Sequence, residues 1–276
     1  FDQLAIVDVP RPLLGARDVR IRIQAAGVSF ATSLVVQGKY QRKPPLPFTP
    51  GTEVAGIIVE TGPEARRFKV GDRVCAVLDW GGLAEEAVAR EVNVFGIPDG
   101  LSFARAIAFT NSYATSAAAL TWSHLLNVQA GETLLVHGAS GGVGIAAVEI
   151  GKILGATVIA TAGSDAKLAL ARAHGADHGI NYREREFRDE VLAVADGRGV
   201  DAVYDPVGGE VFMQSLRCMA PEARIMPVGF AGGDIPQIPA NILLVKNLIV
   251  CGLNMGLYYG WSPNDMRYFF EDRLRA

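Results

Sequence analysis

The sequence predicts an α/β chain: a β-rich domain followed by a doubly wound parallel sheet with helices on both faces. Three observations carry that expectation. From about residue 133 onward, short apolar runs alternate with stretches of helical spacing. The runs are apolar throughout, as strands buried between two helix layers must be. One of them, Leu134-Leu135-Val136, leads into a glycine-rich turn, His137-Gly138-Ala139-Ser140-Gly141-Gly142-Val143-Gly144, that opens a helix.

The bulk properties agree. At 276 residues, 50% hydrophobic, the chain can bury one large core or two ordinary ones. Its 31 glycines and 14 prolines stand singly or in short clusters, which excludes collagen-like and disordered readings. A formal charge of -3 provides no broad basic field, so neither nucleic acid nor a membrane surface is expected as a partner. Cys75, Cys218 and Cys251 are far apart and odd in number, which fits reduced thiols and a cytoplasmic setting. The apolar run 242–245 stops at Lys246, well short of the roughly 20 residues of a membrane span. The chain opens at Phe1 without an initiator Met or a basic-then-apolar leader, so a processed or incomplete N-terminus stays among the alternatives.

Taken in order, Val19-Arg20-Ile21-Arg22-Ile23 alternates as a strand does, and 54–59 and 73–78 are apolar runs between glycines. The β-like texture reaches about Phe95. Residues 43–51 carry four prolines, which remove amide donors and fix φ, so this stretch must be a loop. After Ser102 the spacing turns helical and alanine-rich over 104–126, placing a domain boundary near residues 100–115. Strands then follow at 134–136, 158–160, 202–204, 225–228 and 248–251, with helices at 142–154, 165–173 and 211–219.

A strand that runs into a glycine turn and then a helix aims backbone amides and the positive helix end at one point. That arrangement suits a pyrophosphate, which makes Ser140, Gly141, Gly142, Val143 and Gly144 candidate binding residues. Gly141 or Gly142 would permit close approach, and Gly144 close packing of helix on strand. The bland alternative is a tight strand-helix turn and nothing more; the succession of strand, turn, helix and second strand favours a dinucleotide-binding Rossmann domain. Which dinucleotide depends on the end of the second strand, where NAD enzymes place an acid on the ribose. Here that end reads Thr161-Ala162-Gly163-Ser164. An acid there would repel a 2′-phosphate by about 4 kcal/mol at 4 Å and an effective dielectric of 20. Its absence, with Ser164 and Lys167 as donors each worth about 1.5–3 kcal/mol, points to NADPH. The alternative is that Lys167 is a solvated helix lysine and Asp165 a cap.

Several stretches together resemble the zinc-free quinone oxidoreductase (zeta-crystallin-like) branch of the medium-chain dehydrogenase/reductase superfamily. They are Ala25-Ala26-Gly27-Val28, Gln37-Gly38-Lys39-Tyr40, residues 47–56, Val70-Gly71-Asp72-Arg73-Val74, residues 137–144, Ile180-Asn181-Tyr182-Arg183 and residues 204–209. The resemblance covers nearly the whole chain. It implies a GroES-like catalytic domain over residues 1–112, a Rossmann domain over 113–255, and a segment 256–276 returning toward the catalytic domain, with substrate in the cleft between domains. A homodimer or homotetramer is also implied, often paired through a strand at 248–254. By resemblance, Tyr182 joins Lys167 at the adenosine phosphate, with Ala162 and Gly163 beside them. Thr115, Gly229 and Phe230 lie near the nicotinamide, Asn254 lies further along the cofactor, and Tyr40 lines the substrate pocket. Two positions depart from the pattern: Ser29 replaces the family's asparagine and Leu34 a pocket tyrosine. Family members also continue beyond the point corresponding to Ala276, where this chain ends in a helix-like stretch, 265–274, and they begin with a strand the start lacks. A longer protein with these residues as its ordered part, and a catalytic domain left incomplete, stays among the alternatives.

The zinc dehydrogenases of the superfamily bind metal through a Cys and a His where this sequence has Ser29 and Thr52. Neither is a usual zinc ligand, and only Cys75 lies near the place of the structural zinc lobe, so no metal is expected. Without a Lewis acid, oxidation of an alcohol is hard, while addition of hydride to a conjugated acceptor is easier. The expected function is NADPH-dependent, zinc-independent reduction of a quinone or an α,β-unsaturated carbonyl, with Tyr40 and Ser29 as candidate proton donors and water as the alternative. His124, His137, His174 and His178 are expected to be structural or solvent-facing. Two rivals remain: an enoyl-thioester reductase of the same superfamily, and a non-catalytic, crystallin-like NADPH-binding protein.

Overall fold

The computed structural model describes residues 4–184 and 186–259. They form two compact units, residues 4–111 with 255–259, and residues 112–254.

In the first unit the alternation at residues 19–23 produces β1 (Asp18–Ala26), with Val19 and Ile21 fully buried. Arg20, on the opposite face, is also buried; it donates to Glu60 at 2.8 Å and to the Pro12 carbonyl at 3.0 Å, which meets the cost of enclosing a charge. The expected β texture is broken by a helix, α1 (Phe30–Val36). Its start is a reciprocal cap, Ser29 with Thr32, which the β-branched run Val35-Val36 conceals in the sequence. The sheet continues through β2 (Glu53–Thr61), β3 (Arg73–Val77), β4 (Glu86–Arg90) and β5 (Val94–Gly96). It is antiparallel, in the order β4-β1-β2-β3-β5. Residues 43–51 form a loop, as the prolines require. The alanine-rich stretch is not one helix: α2 (Phe103–Ala108) passes through a π-turn, Phe109–Tyr113, into α3 (Ala114–Thr121).

The second unit begins with α3 and contains β6 (Thr133–Val136), α4 (Gly142–Ile153), β7 (Thr157–Ala162), α5 (Asp165–Ala173) and β8 (His178–Asn181). It continues with α6 (Phe187–Val194), β9 (Val200–Asp205), α7 (Gly209–Cys218), β10 (Met219–Pro227), α8 (Ala240–Lys246) and β11 (Ile249–Val250). The sheet is parallel, in the order β11-β10-β9-β6-β7-β8. Strand alternation divides its side chains between two cores. Leu134, Val136, Val158, Ala160 and Tyr204 pack with α3, α4 and α5, while Leu135, Ile159, Val203 and Ile225 pack with α6 and α7. Both faces are thus covered, as a doubly wound sheet demands.

One expectation is corrected. The strand foreseen at 248–254 is a ladder only at β11. Ile225 still accepts the Cys251 amide at 3.1 Å, but the next donor on β10 facing that edge would be Pro227, which has no amide hydrogen. The helix-like stretch 265–274 lies outside the described residues.

Candidate functional site

All strands of the second unit point the same way, so their carboxyl ends share one edge. Chain order moves outward from β6 through β7 to β8, then returns to β9 on its other side. The loops after β6 and β9 therefore diverge at a topological switch point, where open α/β sheets bind ligands. This edge gathers Ser140, Gly141, Gly142, Val143 and Gly144 after β6, and Ala162, Gly163, Ser164 and Lys167 at and after the end of β7. It also gathers Tyr182 after β8, Gly229 and Phe230 after β10, and Asn254 after β11. Thr115 lies in the first turn of α3, which packs on α4; its neighbour Ser116 donates to the Val143 carbonyl at 3.0 Å.

The turn after β6 is sharp because Gly138 adopts φ +55°, in the left-handed region. Ala139 donates back to the Thr161 carbonyl at 3.1 Å. The first bond of α4 is Ile145 N–H to the Gly141 carbonyl at 2.8 Å, so the amides of Gly142, Val143 and Gly144 have no intrahelical acceptor. Together with the helix dipole they present the donor arrangement that suits an anion. Gly144 refines the expected role of the glycines. A Cβ there would lie 2.3 Å from the Gly138 carbonyl oxygen, so Gly144 packs α4 onto the turn backbone. The contact with strand side chains falls to Gly151, whose Cβ would meet Leu134 at 2.7 Å.

At the end of β7, Ser164 caps α5 by accepting the Lys167 amide at 3.4 Å. A Cβ on Gly163 would lie 2.9 Å from the Tyr182 hydroxyl, so that side chain stands over the strand end. The nearby carboxylates turn elsewhere: the Asn181 amide donates to Glu184 at 2.9 Å and to Asp165 at 3.4 Å. The residues thus fit a phosphorylated adenosine, with free amides at one end and donors over a glycine at the other. Asp205, fully buried, accepts the amides of Val207 at 2.8 Å and Gly208 at 3.1 Å and so shapes the loop after β9. The loop after β10 meets it there: the Phe230 ring lies 2.8 Å from where a Cβ on Gly208 would be.

His137 is enclosed, with its ring nitrogens 2.8 Å from the hydroxyls of Thr161 and Ser215. Burial pushes its pKa down against the pull of Asp205, so it is a neutral core residue. His174 pairs with Glu149 at 2.6 Å, His124 stacks on Trp122, and His178 is exposed.

In the first unit, burial raises the Tyr40 hydroxyl pKa, partly offset by Gln41 and Arg42, so the phenol keeps its proton at neutral pH. The Ser29 oxygen already accepts the Thr32 amide at 3.2 Å and lies 3.1 Å from the Thr32 hydroxyl. Its first task is to cap α1. Sequence reading missed Glu53, a buried carboxyl whose pKa is raised by desolvation and which accepts Asn111 at 3.0 Å. The available signal was one acid inside the apolar run of β2. Arg183 follows Tyr182 in the turn after β8. Among the described residues, no three His, Cys, Asp or Glu side chains group as a metal-ligand set, and no helix is long and apolar enough to cross a membrane.

Comparison with known proteins gives residues 15–115 as a match to the alcohol dehydrogenase GroES-like domain family and residues 142–271 to the zinc-binding dehydrogenase family. Quinone oxidoreductase-like protein 2 of Rattus norvegicus is 42% identical over 250 residues, 90% of this chain and 71% of the relative. The quinone oxidoreductase of Pseudomonas syringae pv. Tomato DC3000 superposes with a TM-score of 0.85 at 33% identity, over 98% of this chain and 83% of that one. The Escherichia coli quinone oxidoreductase, solved in complex with NADPH, gives a TM-score of 0.85 at 27% identity, over 97% of this chain and 81% of that one.

Proposed function

This chain belongs to the quinone oxidoreductase branch of the medium-chain dehydrogenase/reductase superfamily, and from that premise we propose that it is an NADPH-dependent, zinc-independent reductase of quinones or α,β-unsaturated carbonyl compounds. Residues 1–112 are assigned to the catalytic domain and 113–255 to nucleotide binding, with a homodimer or homotetramer as the working form. The observation that carries the reading is the carboxyl edge itself: unbonded helix amides at 142–144, and a β7 end without a carboxylate beneath the Tyr182 hydroxyl. The Escherichia coli relative, which was solved with NADPH, supports the choice of cofactor.

NADPH, when bound, supplies a hydride equivalent to the conjugated acceptor. The chain's own residues do the rest. The amides of Gly142, Val143 and Gly144 hold the pyrophosphate, and Ser164, Lys167 and Tyr182 hold the 2′-phosphate, with Ala162 and Gly163 forming the floor. Thr115, Gly229, Phe230 and Asn254 orient the nicotinamide half. Tyr40, protonated at neutral pH, donates a hydrogen bond to the acceptor oxygen, and water or Tyr40 delivers the proton. Ser29 and Thr52 stand where the zinc relatives bind metal; hydroxyls are not usual zinc ligands, so the oxygen is stabilised by hydrogen bonds alone.

Stopped-flow oxidation of NADPH with 1,2- and 1,4-quinones, enones and enoyl thioesters, with and without chelator, tests the reading. Turnover of quinones or enones that survives chelation is expected. Turnover confined to thioesters, loss on chelation, or binding without turnover of any acceptor would each overturn it.

A further inference from the structure

Arg183 stands at the same carboxyl edge, in the turn after β8. The last paired residues of β7 and β8 are Ala162 and Asn181, so Gly163 leaves the sheet beside Tyr182 and Arg183. A Cβ on Gly163 would lie 3.1 Å from Arg183 Nε as well as 2.9 Å from the Tyr182 hydroxyl. Both side chains therefore lie across the same glycine, next to the capped start of α5. The Arg183 backbone is pinned, its amide donating to Asn181 Oδ1 at 3.2 Å. The two acids that would otherwise neutralise it, Asp165 and Glu184, both accept the Asn181 side-chain amide, and among the described residues its guanidinium forms no ion pair.

From this geometry we infer that Arg183 is a specificity-determining residue that grips the ribose 2′-phosphate of the nucleotide, opposite Lys167 and over Gly163. The inference rests on the NADPH reading above and adds a second cation to it. A guanidinium presents a planar fork of donors that matches two phosphate oxygens at once, whereas a lysine offers a point charge. Gly163 is required because a side chain there would fill the space over which the fork lies.

The test is equilibrium binding of 2′,5′-ADP, ADP, NADPH and NADH to the wild-type chain and to Arg183→Gln, Arg183→Lys and Gly163→Val, with thermal melts to verify folding. Arg183 is exposed, so its variants should melt as the wild type does. Arg183→Gln is expected to weaken 2′,5′-ADP and NADPH about tenfold to a hundredfold, the range of one or two charge-assisted bonds, and to leave ADP and NADH within about twofold. Arg183→Lys should restore part of the loss, and Gly163→Val should reproduce it. Equal losses for phosphorylated and unphosphorylated ligands, or no loss, would overturn the role of Arg183 while a wild-type preference for NADPH left the nucleotide reading standing. A wild-type chain that bound none of the four ligands would overturn both.

Discussion

His137 lies inside the glycine-turn sequence, yet both of its ring nitrogens are engaged in the core, at Thr161 and Ser215. Burial holds its folded pKa below the unfolded value, so its contribution to stability is fully present above about pH 6.5 and is lost as pH falls below that value. Denaturant unfolding from pH 8 to 5 should therefore show stability declining below about pH 6.5 in the wild type. In His137→Phe that slope should shrink. The same variant should lose roughly 1–3 kcal/mol at pH 8, because the Thr161 hydroxyl is left without its partner while Ser215 still donates to the Val211 carbonyl at 2.7 Å. An unchanged slope would show that the imidazole is not the titrating group. At this scale the sequence discloses what a linear pattern can carry. The Thr161 to Ser164 end of β7 is legible because its meaning depends only on distance from the glycine turn. Arg183 and Glu53 are not, because their surroundings are made of residues brought beside them by the fold: Gly163 across a parallel ladder, and Asn111 from the π-turn.

Among elements, the strand-turn-helix from β6 to α4 is the part that the sequence states most clearly, and its glycines are not equivalent. A Cβ at position 144 meets backbone, the Gly138 carbonyl oxygen at 2.3 Å, which cannot move without opening the turn. At position 151 it meets the end of the Leu134 side chain, which can rotate. Gly144→Ala should therefore cost about 1–3 kcal/mol of stability and abolish nucleotide binding, while Gly151→Ala should cost less and leave binding intact. Thermal melts with NADPH titration check both; similar effects from the two variants would mean that the turn is not the binding element. Elements with weaker patterns were harder to see. Helix α1 hides behind β-branched residues, α6 is amphipathic but only 8 residues long, β8 has only 4 residues, and β11 is cut short by an amide that Pro227 lacks.

For the whole molecule, the two-part architecture was legible because composition changes along the chain, from alternating β texture to apolar strands separated by helical runs. The two cores on opposite faces of the parallel sheet are the physical form of that pattern, since successive residues of β6, β7 and β9 feed opposite layers. The position of the site follows from the same topology: the strand order reverses at β6, and the loops that part there are the ones carrying the glycine turn and the Asp205 loop. Family membership then supplies the class of chemistry, and the residues at the edge supply the choice of cofactor. The most direct measurement is calorimetric titration of the purified chain with NADPH and NADH in parallel. Binding of NADPH about tenfold to a hundredfold tighter than NADH is expected from one or two charge-assisted contacts to the extra phosphate. Equal affinity for the two, or heat from neither, would contradict the account.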